Sequence, residues 1–422
     1  MNLIVGKKLD RHLGSPAVLL LRPFFLLGCA ARRLRGRSRE RGRGSPATIV
    51  LIKLWGLGNV VLLTPVVRAI RRRHPGARIT FLSFSSNAEA LGRIPEIDEV
   101  LCLDLTGWLR LLVSTVRSVW RLRRLSPDLL LDFEQFCYLS SLLTFFSSPG
   151  RSVGFSVEGS RRGGLYTHPV LYREDRHMAA IFARLAELAS VDPWPLSLRP
   201  FFLLPEEERL AREAIGDHDG PVVGIHPGSG DNFPGRRWPE GSFAELADRL
   251  VSRHGCRVYF TGSPGEKDLV ATVRGLMKES SLDFSGSTSL GMLAALQKSS
   301  TLFVSSDTGP MHLAAAMGSP VLALFGPNTP RLYGPLSNRA IVLYRGLACS
   351  PCISNLNLKE SRCRLPLCML SLSPERVLDV VTRSGFLKRE GSARPRTDRP
   401  GVEEDRPQGT EPPVPESRWG SP

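Results

Sequence analysis

Cysteine is scarce in this sequence: eight residues in 422, too few for a disulfide scaffold. Aromatic residues make up 7% and mean hydropathy is −0.06, which excludes a polytopic membrane protein. The apolar run at 17–31 (AVLLLRPFFLLGCAA) is broken by Arg22 and Pro23. It falls short of the roughly 20 apolar residues of a spanning helix. Carboxylates are sparse at the N-terminal end, where Asp10 and Glu40 face eleven Lys/Arg within residues 1–46, a net of +9. The whole chain has a net charge of +16, so the remainder holds only +7. The high pI therefore describes one end of the chain, and no nucleic-acid partner is expected. With 42% hydrophobic and 23% charged residues, the chain has the composition of one that buries a core. Its length suits two to three domains.

Residues 1–46 read as a basic, apolar tail. An apolar stretch flanked by Lys and Arg suits peripheral contact with an anionic inner leaflet, which implies a cytoplasmic protein. A tail without fixed structure is the plain alternative. Leu26-Leu27-Gly28-Cys29 faintly resembles an export signal's cleavage box, but seven arginines at positions 32–43 argue against export.

From Thr48 the texture is that of alternating strands and helices. Thr48–Leu54 reads as a buried parallel strand, Gly56–Asn59 as a turn, Val60–His74 as a helix and Arg78–Phe84 as the next strand. Further strands are expected at Glu99–Leu103 and Leu129–Phe133, with a helix through Leu109–Arg124. The proline-rich 191–220 reads as an interdomain connection. Strands then resume at Pro221–His226, Cys256–Thr261, Thr301–Ser305 and Val321–Phe325, with a helix at Phe243–His254. The expected fold is α/β, with two doubly wound domains facing one cleft and no sequence repeat between them. The expected division is a first domain over 47–205, a second over 206–345, a four-cysteine knuckle with a helix over 346–386, and a disordered tail over 387–422.

The richest segment runs from Ser305 to Ala316, where a strand turns into a helix of small residues. Such a helix start offers free N–H groups and partial positive charge to a diphosphate. Ser306, Thr308 and His312 stand where they add donors, and Gly309 lets the backbone come close. Helix capping by Asp307 or Thr308 is the plainer explanation, but it leaves the gathered hydroxyls, glycine and histidine unaccounted for. His226-Pro227-Gly228-Ser229-Gly230 is a second turn at a strand's end, and Arg236 follows as a cation for a charged leaving group. Gly56, Gly58 and Asn59 make a tight first-domain turn that lets a ligand approach the backbone.

In order, these segments resemble glycosyltransferase family nine, the ADP-heptose:lipopolysaccharide heptosyltransferases. The resemblance rests on 52–70 (IKLWGLGNVVLLTPVVRAI), Pro75–Ile79, 226–239 (HPGSGDNFPGRRWP), Phe243–Leu246, 260–266 (FTGSPGE) and 305–330, and covers about Thr48 to Phe386. It implies two facing Rossmann-like domains (the GT-B fold), the first as the acceptor side and the second for nucleotide-sugar binding. It also implies an inverting transfer without a catalytic metal, and a lipid-linked or envelope glycan as acceptor. By the match, Ser306, Asp307, Thr308, Gly309 and His312 bind the nucleotide diphosphate, with Gly228 on the second turn. Arg236 stands where the family usually has lysine, and Gly56–Asn59 lies at the acceptor side. Many members have an aspartate where this chain has Asn59. An amide can orient an acceptor but cannot deprotonate it; the nearest acidic substitutes are Asp132 and Glu134, and the expected base is Glu134. A silent nucleotide- or glycan-binding relative, or a nucleotide-sugar epimerase, are the competing functions.

Cys349, Cys352, Cys363 and Cys368 are spaced C-x2-C-x10-C-x4-C, which suits a structural four-thiolate site for zinc or iron. Free thiols, or disulfides in an exported chain, are the alternatives.

Overall fold

A computed structural model describes residues 3–34, 45–230, 233–387 and 401–404. The N-terminal segment forms helix α1 (Leu3–Leu34). The first α/β unit then comprises β1 (Thr48–Ile52), α2 (Leu57–Arg73), β2 (Arg78–Phe84), α3 (Ala88–Gly92), β3 (Glu99–Leu103) and α4 (Trp108–Leu125). It continues with β4 (Leu129–Asp132), α5 (Tyr138–Ser147), β5 (Arg151–Ser156) and β6 (His168–Leu171). All its pairings are parallel, in the order β3-β2-β1-β4-β5-β6. These strands are short apolar runs because helices cover both faces. On one face Ile49, Leu51 and Phe81 pack with α2 and α6 (Met178–Leu188); on the other Val50, Ile52 and Leu130 meet Leu122 of α4 and Leu143 of α5.

After α7 (Pro205–Ile215) the pattern repeats with β7 (Val222–His226), α8 (Glu240–His254), β8 (Arg257–Phe260), α9 (Lys267–Leu276) and β9 (Leu282–Asp283). Next come α10 (Leu290–Lys298), β10 (Leu302–Ser306), α11 (Gly309–Ala316), β11 (Val321–Phe325), α12 (Pro330–Tyr333) and β12 (Ala340–Tyr344). Two short helices, α13 (Leu367–Leu370) and α14 (Pro374–Ser384), close the chain's path before a last strand, β13 (Gly401–Glu404). The second sheet runs β13-β12-β11-β10-β7-β8-β9, again all parallel. Leaving out β13, it has the doubly wound order of the first sheet. Both halves therefore have a topological switch point, between β1 and β4 and between β7 and β10, where ligands of such sheets bind.

Three expectations need correction. Residues Leu3–Leu34 are not a loose tail, because they form α1, which is seated on α5; residues 1–2 and 35–44 lie outside the described residues. Val18 is fully buried, the missing side chain of Gly14 makes room for Tyr138, and Asp10 accepts the N–H groups of Tyr138 and Leu139 at 2.7 Å each. The connection at 191–220 contains a whole helix, α7, with proline and three glutamates in its first turn, a favourable start against the helix dipole. Within the tail expected to be disordered, Gly401–Glu404 pairs with β12; residues 388–400 and 405–422 lie outside the described residues.

Candidate active site

At the first switch point the loops after β1 and β4 interlock. Glu134 is 3% exposed. Its Oε1 accepts the N–H of Leu54 (2.7 Å) and of Trp55 (2.9 Å), and Lys53 Nζ stands 3.0 Å away. The carbonyl of Trp55, in the next peptide unit, accepts from Asn59 Nδ2 at 3.4 Å, so the backbone of one residue links the expected base to Asn59. Gly56 adopts φ +87°, a conformation that excludes most side chains and lets the turn fold back over Asn59. Asp132 is different. It is wholly buried and accepts from Arg162 Nη2 (2.7 Å) and Tyr166 Oη (2.6 Å), which makes it a strut inside the lobe, unable to reach a substrate.

At the second switch point Ser306 ends β10, and Thr308 stands at the start of α11 with no side-chain cap on the helix. Its hydroxyl meets Ser305 Oγ at 3.1 Å, and Asp307 Oδ2 accepts from Asn328 Nδ2 at 2.6 Å. Neither residue is spent on capping, so the N–H groups of the first turn remain to meet an anion. Arg236 reaches across from the neighbouring loop. It donates to Asp307 O (3.0 Å) and to Ser229 O, and lies 3.5 Å from Asp307 Oδ2. Gly228 is glycine for space, because a Cβ there would collide with the Glu266 carboxylate. That carboxylate lies 3.8 Å from His226 Nε2. His312 is buried one turn into α11, and burial pushes its pKa down to about 4 despite the nearby Asp307. At neutral pH its ring is uncharged.

The two loop sets meet. A Cβ on Gly58 would lie 2.8 Å from His312 Cδ2, and one on Gly309 would lie 3.1 Å from Leu57 Cβ. The Gly56–Asn59 turn and the first turn of α11 thus face each other across a contact that glycine makes possible. Four buried polar atoms around this contact have no hydrogen-bond partner: Asn59 Oδ1, Arg236 Nε, Ser306 Oγ and His312 Nδ1. Leaving such groups unmet in a folded protein is unfavourable by about 1–3 kcal/mol each, and a polar ligand bound to these loops would satisfy them.

A family model described as glycosyltransferase family 9 (heptosyltransferase) matches residues 116–361, more than half the chain. The chain belongs to glycosyltransferase family 9. It is 26% identical over 309 residues to lipopolysaccharide heptosyltransferase 2 of Salmonella typhimurium, covering 70% of this chain and 87% of that one. It is 26% identical over 353 residues to lipopolysaccharide heptosyltransferase 1 of Pseudomonas aeruginosa, covering 78% and 95%. The solved structure of the Escherichia coli ADP-heptose LPS heptosyltransferase II superposes with a TM-score of 0.66 at 22% identity, over 81% of this chain and 98% of that one. The fold is that of the family, and the chain is a glycosyltransferase.

Within this family-9 cleft, reading the sequence missed several residues. Lys53 was passed over as part of a strand. His177, whose Nε2 lies 2.9 Å from Gly334 O, comes from the other lobe. Tyr333 donates to Asn355 Oδ1 at 2.9 Å, and Asn355 donates on to Tyr172 Oη at 2.9 Å. Lys359 lies over the Tyr333 ring at 4.3 Å, close enough that its charge also lowers the His312 pKa. Leu358 and Lys359 both have left-handed backbone, φ +58° and +61°, a conformation unfavourable for residues with side chains. No local pattern in the sequence announces these contacts, which are made between segments remote in the chain.

Cys349, Cys352 and Cys363 lie in one loop and Cys368 on α13, without forming a metal-binding group. Cys349 and Cys363 are exposed, Cys352 Sγ accepts from Ser361 Oγ at 3.3 Å, and Cys368 is buried. Among the described residues no three His, Cys, Asp or Glu side chains are placed to hold a metal ion. Burial, with the other three thiols adding, pushes the Cys368 thiol up to about 11.

Proposed function

We propose that this protein transfers a heptose from ADP-heptose to a lipid-linked core glycan of the cell envelope, with inversion at the anomeric carbon. The diphosphate lies against the first turn of α11, where Ser306, Thr308 and His312 donate to it and the backbone at Gly309 lets it approach. Asp307 orders this turn through Asn328 and Arg236. Two of Arg236's three nitrogens are committed to carbonyls, and Lys359, over the Tyr333 ring, supplies a second cation. The acceptor lies on the Gly56–Gly58–Asn59 turn, with Asn59 Oδ1 orienting its hydroxyl. Glu134 takes the hydroxyl proton through Oε2, its Oε1 being held by the Leu54 and Trp55 N–H groups. The acceptor oxygen attacks the anomeric carbon as the bond to the diphosphate breaks, and the α11 N–H groups receive the charge that develops on ADP. Contact between the lobes excludes water, which favours transfer over hydrolysis.

The observation behind this reading is the set of unpartnered polar atoms where the two lobes meet. Calorimetric titration tests it: ADP is expected to bind more tightly than UDP or GDP. His312→Ala, Thr308→Ala and Lys359→Ala are each expected to weaken ADP by roughly tenfold, the equivalent of one charge-assisted hydrogen bond. Unchanged affinity in all three would remove the site. ADP retained without transfer to any envelope acceptor would instead mark a binding protein.

The four thiols are of the soft donor type that zinc and iron favour, and we propose a structural metal there. Cys349 and Cys363 would have to turn inward to complete it. Purified protein is expected to hold about one zinc or iron per chain; metal-free protein that unfolds at the same temperature after chelation would end the idea.

A further inference from the structure

We propose that α1 and α4 form a single docking face for an anionic lipid bilayer, with α5 as the floor between them. The proposal rests on the acceptor being lipid-linked. Helix α4 has two apolar stripes where a surface helix needs one. Leu111, Val119, Leu122 and Leu125 face the sheet. Leu109, Leu112, Val113, Val116 and Trp120, at helical spacing, face away, and Leu109 is 73% exposed. Helix α1 repeats the arrangement. Val18, Leu21 and Phe25 pack with Tyr138 and Phe145, while Leu13, Leu20, Phe24 and Leu27 point outward, Leu20 at 71%. Both helices flank α5, and one groove of about 160 Å³ joins them, lined by Phe24 and Gly28 of α1, Phe145 of α5 and Arg123 of α4. Soluble monomers seldom expose contiguous apolar surface on this scale.

Charge decides the occupant. Helix α4 holds Arg110, Arg117, Arg121, Arg123 and Arg124, and neither α4 nor α5 contains a carboxylate. The single acid of α1, Asp10, is turned inward as the cap of α5. The guanidinium of Arg124 lies 3.8 Å over the Trp120 ring, so a cation is held level with the apolar stripe. Exposed apolar residues rimmed by arginines, of which among the described residues only Arg121 is paired with a carboxylate, Glu99 of β3 at 2.8 Å, match a layer of acyl chains under anionic headgroups. Residues His12–Ala30 are long and apolar enough to cross a membrane, but the Gly14–Tyr138 contact and the buried Val18 hold α1 flat on the lobe. The loop bearing Glu134 ends at the N-terminus of α5, between the two helices. A lipid-anchored acceptor could therefore present its sugar to the cleft without leaving the bilayer.

Flotation of the full chain with phosphatidylglycerol-containing or pure phosphatidylcholine vesicles tests this. Wild type is expected to float with the anionic vesicles only. Leu112→Asp/Val116→Asp and, separately, Arg117→Glu/Arg124→Glu are expected to lower binding roughly tenfold or more, with melting temperature and transfer to a delipidated acceptor unchanged. The charge-reversed pair touches only exposed residues, so it remains informative if the apolar pair misfolds. Variants that float like wild type would overturn the proposal. So would equal binding to neutral vesicles, or a wild-type dimer that the variants dissociate without loss of flotation. If wild type floats but transfers nothing to the soluble acceptor, the sugar-transfer reading fails while the docking face stands.

Discussion

Lys53 and Glu134 form an ion pair with almost no water around either side chain. Breaking such a pair by removing one partner typically destabilises a protein by about 3–5 kcal/mol. Structural and chemical roles of Glu134 can therefore be separated. Glu134→Gln leaves the Lys53 charge buried without a counter-charge, with Gln135 Oε1 at 3.4 Å as its remaining partner, and should lower both stability and turnover. In Glu134→Gln/Lys53→Met the orphaned charge is gone, so the melting temperature should recover substantially. Turnover should stay down by about 10²-fold or more if the carboxylate is the base, with ADP affinity near normal. Recovery of turnover along with stability would sink the base assignment. Glu134 could be singled out from the sequence because it follows a buried strand at the cleft end. Lys53 could not, because a lysine closing an apolar strand looks like an ordinary solvent-facing terminus until its partner, 81 positions later in the chain, is known.

The elements with their own signals were legible. β1, β2, β3, β4, α4 and α8 fall within a few residues of expectation because each has a hydrophobic period and a local stop, such as Gly255 with φ +60° after α8. Helices α1 and α5 were not. The N-cap position of α5 is Cys137, which makes no side-chain cap, and the cap comes instead from Asp10, more than a hundred residues earlier. A helix capped from a distance leaves no mark near its own start. Burial raises the Asp10 pKa while the two N–H groups of α5 lower it, so the carboxylate stays useful only while α1 is seated. Asp10→Ala is expected to reduce stability by about 1 kcal/mol, read as a lower denaturation midpoint, and Asp10→Asn by less. No difference between the three proteins would mean that α1 does not rest on α5 in solution.

At the scale of the molecule the two lobes meet along three seams. The Arg93 guanidinium of the first lobe grips Glu207 of α7 at 2.6 and 2.8 Å, and Arg331 donates to Glu174 O at 3.1 Å. The third seam is the Gly58–His312 contact at the site itself. Gly58→Ala would put a methyl group 2.8 Å from a buried ring, so the lobes must part by a few tenths of an ångström or more. Turnover should fall by about an order of magnitude or more, while the melting temperature changes little. X-ray scattering should report a larger radius of gyration, and an unchanged scattering profile with normal turnover would show that the lobes do not close here. A single methyl group placed as a wedge would also be a practical instrument. Such a protein would be arrested with its jaws ajar, holding both substrates short of reaction for capture in a crystal, much as a doorstop does for a hinge that otherwise shuts too fast to observe.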